Sequence, residues 1–391
     1  MVRIGRTARI ATTLFAAALL APVLGLVARD ETALAKFHNR ILAPWPAAAA
    51  FANPPEGFRQ TRAWLADRAW PVASAVGLLK RILYFALATP PAQKMTIGLD
   101  GHLFLNSWND IEPGILLDSL CVRAHGDAAR AGLTRALAQL AAYSQREQTP
   151  VDLVIVPTTA TLYARFLPTS VPRRFRDACN AVATGTSGLR QIAAPAFLYP
   201  FDLFEAQAAD PAFYPRNNWH AAGKSLAVLR DAWLAAAGLA ATVDEHVDAT
   251  QAPAEVLLMS GVTDPQPVYV VSNAHVRADP ALDAAFRGAI GDLFANPAYL
   301  TYVYANDRPP IDQTLLIVSD SFGQLASGVF AGAFASVMQV NTNDMRFDAI
   351  AELIARARAV HRVDRILFLF QEGGVDRPIN YASLLQRTAP R

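Results

Sequence analysis

The sequence predicts an α/β protein built on a mostly parallel sheet, and three observations carry that expectation. Strand-like stretches, largely apolar or β-branched, occur at 151–157, 314–318, 336–340 and 365–370. Runs without polar alternation are what strands buried on both faces look like. Stretches with helical character alternate with them, at 128–145, 224–237 and 347–360. That alternation argues for helices covering both faces of the sheet. With 53% of its 391 residues apolar and 17% charged, the chain can bury a sizeable core, and the composition is not that of a disordered protein.

The chain begins with Arg3, Arg6 and Arg9, followed by a charge-free run over 10–28 and then Arg29, Asp30 and Glu31. At 1.5 Å per residue the run nearly crosses a hydrocarbon core, and the leading arginines favour a cytoplasmic N-terminus. Ala33 and Ala35 form an A-x-A pattern before Lys36, so a cleaved signal sequence competes with an uncleaved anchor. Either reading exports the rest of the chain. Residues 1–35 are therefore expected to be a transmembrane anchor or signal sequence, 36–90 a helical membrane-proximal lead-in, and 91–391 the main domain. Prolines forbid a continuous helix through 38–46 and break the chain again at Asn53-Pro54-Pro55. Phe58, Trp64, Leu65, Trp70, Val72, Val76, Leu79, Leu83 and Tyr84 then recur at mixed three-and-four spacing, as in amphipathic helices. Their aromatics are expected to pack on the main domain.

The main domain opens with Asp100-Gly101 between apolar residues, a hairpin signal. Short strands are expected at 196–199, 268–272 and 300–305, and a helix at 201–209. Arg173, Arg174 and Arg176 fall in a proline-flanked loop and read as a solvated surface or as an attraction for an anionic polymer. The net charge of +2 gives no global argument for nucleic acid. Cys121 and Cys179 are the only cysteines; in an exported chain they could form a disulfide, and otherwise they are two buried thiols. No glycine-rich phosphate loop follows a strand, and no His, Asp or Glu ligands pair at helical spacing. Neither a cofactor nor a metal is expected.

Two segments carry chemistry. After the strand at 314–318, Ser319-Asp320-Ser321-Phe322-Gly323 leads into a helix-compatible stretch. A serine at the carboxyl end of a buried strand sits where α/β proteins place ligands, and the free N–H groups of the next helix can hold an oxyanion. The plainer reading is a Ser/Asp helix cap. Serine needs a base, usually histidine. Of the seven histidines, His220 alone lies in a polar-aromatic loop, Asn217-Asn218-Trp219-His220, directly before a helix. A structural hydrogen-bonding histidine is the alternative there. In α/β-hydrolases the histidine follows the serine. Here only His361 does, and it precedes a strand.

The order of segments resembles the alginate O-acetyltransferase AlgJ/AlgX family of SGNH-hydrolase-like proteins. The likeness runs through HNRILAPWP, FRQTRAWLADRAWP, GLDGHLFL, VDLVIVPTTATLYARFLP and FYPRNNWHAAGK, and ends at LLIVSDSFG. The resemblance implies a three-layer α/β/α domain and acetyl transfer onto an exopolysaccharide in the periplasm. It also implies a partner, a membrane-bound O-acyltransferase that delivers the acetyl group. Carried over by position, Ser321 matches the nucleophile, with Asp320 beside it and Ser319 where glycine is usual. His220 matches the base if Asn218-Trp219-His220 stands for Asp-x-His, with Asn218 orienting the ring without a charge. Anchoring instead on Trp219 and Gly223 puts Asn218 at the histidine position and Arg216 at the aspartate position, and the triad is lost. Three functions follow: an exopolysaccharide O-acetyltransferase, a non-catalytic polysaccharide-binding scaffold of an acetylation complex, and an acetyl or carbohydrate esterase that uses water as acceptor.

Overall fold

The computed structural model describes residues 43–387, apart from 69–71, 91, 93, 107–113, 187, 240, 259–261, 263 and 297–299. The expected anchor or signal sequence at 1–35 lies outside the described residues. Among the described residues no helix is long and apolar enough to cross a membrane. The described residues within 1–91 and 257–264 form one compact unit, and those within 92–256 and 265–391 the other.

The first unit holds helices α1 (Pro54–Arg68) and α2 (Val72–Leu87). Both lie in the stretch expected to be helical; Trp70 falls outside the described residues, and Phe58 is 73% exposed.

The second unit opens with a hairpin of β1 (Met95–Ile97) and β2 (Leu103–Leu105). Asp100 and Gly101 both take positive φ, 52° and 74°, the requirement of the tight turn that Asp-Gly signals. The chain continues through α3 (Asp127–Glu147), β3 (Val151–Val156), α4 (Arg173–Ala183), β4 (Phe197–Leu198) and α5 (Lys224–Ala236). Then come the strands β5 (His246–Pro253), β6 (Pro265–Ser272) and β7 (Val276–Ala278), and helix α6 (Pro280–Ile290). The last third alternates as expected: β8 (Thr301–Asn306), β9 (Ile311–Ser319), α7 (Ser321–Ala331), β10 (Phe334–Asn341), α8 (Ile350–Val360), β11 (Arg365–Gln371) and α9 (Asp376–Arg387).

Seven strands form one sheet in the order β4-β3-β11-β9-β10-β8-β7. The five from β4 to β10 run parallel, and β8 and β7 add an antiparallel edge. From β9 the chain steps outward to β10 through α7, then returns across β9 to β11 through α8. Right-handed crossovers in opposite directions put α7 and α8 on opposite faces. One face packs Leu316, Val318, Met338, Val340 and Phe368 against Leu353 and Ile354 of α8 and Tyr381 and Leu385 of α9. On the other, Phe330 of α7 stacks on Trp233 of α5, with ring centroids 5.5 Å apart. The change of direction makes the carboxyl end of β9 a topological switch point, where an open α/β sheet leaves a crevice.

Three local expectations change. The strand expected at 268–272 is part of β6, which pairs only with β5 in a separate, largely exposed ribbon. The helix expected at 201–209 ends at Glu205. Arg173, Arg174 and Arg176 belong to the first turns of α4 rather than to a loop, because Pro172 fits the position just ahead of a helix. Cys121 and Cys179 are joined as a disulfide, with Cα atoms 4.8 Å apart.

Candidate active site

Ser321 is the first residue of α7, directly after β9, and is partly exposed. Asp320 fixes that turn. Its Oδ1 accepts from the Phe322 N–H (2.9 Å) and its Oδ2 from the Gln371 N–H at the end of β11 (3.0 Å). Burial pushes the Asp320 carboxyl above its ordinary range, and the N–H groups of Gln371 and Phe322 oppose that shift. The sequence places Asp320 among the catalytic residues; its two oxygens are instead spent on backbone, and it is a helix cap that aims Ser321. Asp320 is the helix cap, and Ser321 beside it is the first residue of α7.

Ser319 has no positive φ, so a Cβ is tolerated where the family usually has glycine. Its buried hydroxyl accepts from Gln339 Nε2 (2.9 Å), and its carbonyl accepts from the N–H and Oγ1 of Thr342. The ends of β9 and β10 are thereby tied together. Gly323 is required for this: a Cβ there would stand 2.0 Å from Ser319 Oγ.

The histidine reaches the serine. Ser321 Oγ lies 2.8 Å from His220 Nε2, within direct hydrogen-bond reach. Both of the imidazole's nitrogens are engaged, because Nδ1 lies 2.5 Å from Glu255 Oε1. The network assigns the tautomer: Nδ1–H donates to Glu255, and Nε2 accepts from the Ser321 hydroxyl. The ring of Phe322 packs on His220 with centroids 4.7 Å apart.

Glu255 does more than hold the ring. Its Oε2 accepts the N–H groups of Trp219 (3.1 Å) and His220 (3.0 Å), so one carboxylate fixes both the imidazole and the loop that carries it. Burial works to raise the Glu255 carboxyl, but the His220 charge and hydrogen bond, with the two N–H groups, outweigh it and hold it below the usual range. It is charged at neutral pH and able to stabilise an imidazolium.

This arrangement corrects the role expected for Asn218. Its Oδ1 accepts from the Glu255 N–H (3.1 Å) and from Gln266 Nε2 (2.5 Å), not from the histidine ring. The ring's Nδ1 is already taken by a carboxylate, and Asn218 positions that carboxylate's backbone. Asn217 reinforces the contact: its carbonyl accepts the Val256 N–H and its N–H donates to Gln266 Oε1. Gly223 closes the loop with φ 55°, and a Cβ there would sit 1.7 Å from the Tyr269 carbonyl of β6. The alternative register, with Asn218 as the base position, does not describe this site.

A cavity of about 290 Å³ opens beside Ser321, lined by Trp219, Asp320, Asn343, Gln371, Gly373, Gly374 and Arg377. The Ser321 N–H is one of the first-turn donors a helix leaves without an intrahelical partner, and Asn343, whose backbone N–H is given to Asn341 Oδ1, lines the same space with its side-chain amide as the remaining donor. Together they are the candidate donors for an oxyanion. Arg377 holds the Asn343 loop by donating to the carbonyls of Thr342 (2.6 Å) and Asn343 (3.3 Å). The opposite wall is fixed from behind by the fully buried Glu372, which accepts from the Thr158 N–H and from the hydroxyls of Thr158, Thr161 and Tyr199. Among the described residues no group of three or more His, Cys, Asp and Glu stands ready to hold a metal.

Sequence reasoning missed Glu255, Asn343 and Arg377. Glu255 is one of 33 acidic residues and lies 35 positions beyond His220, just after β5, a strand with no strand-like burial; no spacing rule selects it.

No protein-family model matches the chain, and no curated protein matches it. Among solved structures it is similar to the O-acetyltransferase domain of Pseudomonas putida AlgJ, with 14% identity and TM-score 0.41 over 75% of this chain and 99% of that one. It is similar to Pseudomonas aeruginosa AlgX, with 14% identity and TM-score 0.42 over 76% of this chain and 68% of that one. Bacillus cereus PatB1 is similar at 9% identity and TM-score 0.42, over 63% of this chain and 91% of that one. AlgJ and AlgX, which the order of sequence motifs resembles, are thus among its structural neighbours.

Proposed function

We propose that this chain is a serine-dependent O-acetyltransferase that moves acetyl groups onto hydroxyls of an exopolysaccharide on the periplasmic side of the inner membrane. The observation that carries the reading is the unbroken Glu255–His220–Ser321 hydrogen-bonded series. An ionised acid, a base in the correct tautomer and a partly exposed hydroxyl are the three requirements of an activated serine. The scaffold alternative rests on a register that loses the triad, and the contacts of His220 with Ser321 and Glu255 speak for the enzymatic reading. The disulfide favours an oxidising compartment, as expected of an exported chain.

In the first half-reaction Ser321 Oγ attacks the donor's acetyl carbonyl while its proton passes to His220 Nε2. The imidazolium so formed is stabilised by the Glu255 carboxylate, and the oxyanion by the Ser321 N–H and the Asn343 amide. Collapse breaks the bond to the donor's leaving group, which takes the proton from His220, and leaves an acetyl ester on Ser321. In the second half His220 accepts the proton of an incoming sugar hydroxyl, which attacks the ester and regenerates Ser321. No cofactor enters either half. A membrane-bound O-acyltransferase would supply the acetyl donor.

The test is turnover of an activated acetyl ester by the full chain, followed by transfer to added oligosaccharide. Ser321→Ala should abolish acetyl-enzyme formation, His220→Ala should lower turnover by orders of magnitude to a measurable residual rate, and protein quenched during turnover should carry one acetyl group on Ser321. Transfer to sugar identifies the transferase, and release of acetate to water alone identifies an esterase. Binding of polymer with no turnover by the wild-type chain contradicts both enzymatic readings.

A further inference from the structure

The peptide group between Trp219 and His220 is gripped at both of its polar ends. Its N–H, which belongs to His220, donates to Glu255 Oε2 at 3.0 Å. Its carbonyl, which belongs to Trp219, accepts from the Tyr214 hydroxyl at 3.1 Å. In a trans peptide these two groups point to opposite sides of the chain, so the two bonds restrain the plane from opposite directions. The plane turns only through ψ of Trp219 and φ of His220. An uncompensated turn in φ swings the imidazole, whose Nε2 stands 2.8 Å from Ser321 Oγ.

Packing alone does not call for a hydroxyl at position 214. The Tyr214 ring is fully buried and meets Phe204 edge-on, with centroids 6.1 Å apart, and the neighbouring Phe213 is buried as well. A phenylalanine would fill the same space. A hydroxyl among such rings costs free energy unless it is bonded, and the bond this one makes goes to the peptide that carries the base. Burial raises the Tyr214 hydroxyl well above the ordinary tyrosine range, and the charges of Glu372 and Glu255 add to the shift, so it stays a donor. The clamp is itself anchored. The Tyr214 carbonyl accepts from the Tyr163 hydroxyl at 2.7 Å, and the Asn218 N–H donates to the Pro215 carbonyl within the turn that the clamp closes. Tyr214 does not line the cavity beside Ser321.

We propose that Tyr214 is a positioning residue for the base: its hydroxyl, with Glu255 on the other side, sets the plane of the 219–220 peptide and so aims the His220 imidazole at Ser321. The kinetic consequence rests on the acetyl-transfer reading; the orientation of the ring does not. Because Tyr214 acts through His220 and not on the substrate, its loss should fall on kcat and spare KM.

Tyr214→Phe in the full chain is the test, read in two ways. In acetyl-ester turnover kcat should fall up to ~10²-fold, the scale of a small misplacement of a catalytic group, with KM little changed. The second readout needs no turnover. The proton between His220 Nδ1 and Glu255, shared over 2.5 Å, is followed as a far-downfield proton NMR resonance, assigned by its loss in His220→Ala. It should shift or broaden in Tyr214→Phe. Tyr163→Phe, which removes another buried hydroxyl, is the control for lost stability alone and should keep both the resonance and most of the turnover. A resonance unmoved in Tyr214→Phe would overturn the proposal, whatever happens to kcat. Equal losses in Tyr163→Phe and Tyr214→Phe would overturn it as well, since general loosening would then explain both. 3,5-Difluorotyrosine at 214 keeps the shape but strengthens the donor, so turnover should be kept while the resonance moves. An unmoved resonance there overturns the proposal even where the phenylalanine variant does not fold. If the wild-type chain turns over no acetyl ester, the acetyl-transfer reading fails and the resonance alone decides the role of Tyr214.

Discussion

The two arms of the site are built by different means. Ser321 stands at a switch point of a buried sheet, held by a cap, a tight glycine and the ends of three parallel strands. His220 and Glu255 stand on irregular backbone outside that sheet, held by side chains that satisfy one another: Asn218 to Glu255, Gln266 to Asn218, and Glu255 back to the 219–220 backbone. The first arm follows from topology. The second is a polar network, in which losing one member leaves others unpaired.

That contrast orders the expected effects of substitution. Replacing Glu255 with Gln keeps the shape but removes the charge that stabilises the imidazolium, and kcat for acetyl-ester turnover should fall ~10⁴-fold. The same variant has a pH signature. Because the Glu255 carboxyl is held below the usual range in the folded protein, its ionised form contributes stability above the ordinary glutamate range. That contribution is lost as pH falls through the lowered value. Tm measured against pH should therefore flatten on the acid side in Glu255→Gln. Asn343→Ala removes one oxyanion donor and should lower kcat ~10²–10³-fold with little change in KM. Asn218→Ala leaves the Glu255 N–H and Gln266 without their acceptor; it should cost about 1–3 kcal/mol of stability, read by denaturant unfolding. Its effect on turnover should be no more than ~10²-fold, from misplacement alone. A ~10⁴-fold loss in Asn218→Ala would mean that Asn218, rather than Glu255, is the residue that supports the imidazolium.

The same contrast explains what the sequence made legible. The apolar runs that form β3, β9, β10 and β11 are read from local periodicity, so the sheet and the position of Ser321 follow from it. His220 is legible because it stands in a polar loop before α5. Glu255 is not, because Asn218 occupies the place where an acid is sought and the actual acid comes from beyond the β5 strand of an exposed ribbon. Asp320 reads equally as a cap or as a catalytic group; only the geometry of its two oxygens separates them. The lead-in aromatics are expected to be covered because amphipathic helices usually bury their apolar face. Phe58 is exposed.

The triad depends on Glu255 acting through His220, and a double-mutant cycle on acetyl-ester turnover tests that directly. If the two form one relay, Glu255→Gln in a His220→Ala background should cost almost nothing further, because effects of residues acting as a unit are far from additive. If the double variant instead loses the product of the two single effects, Glu255 works independently of the histidine, and the proposed triad is contradicted.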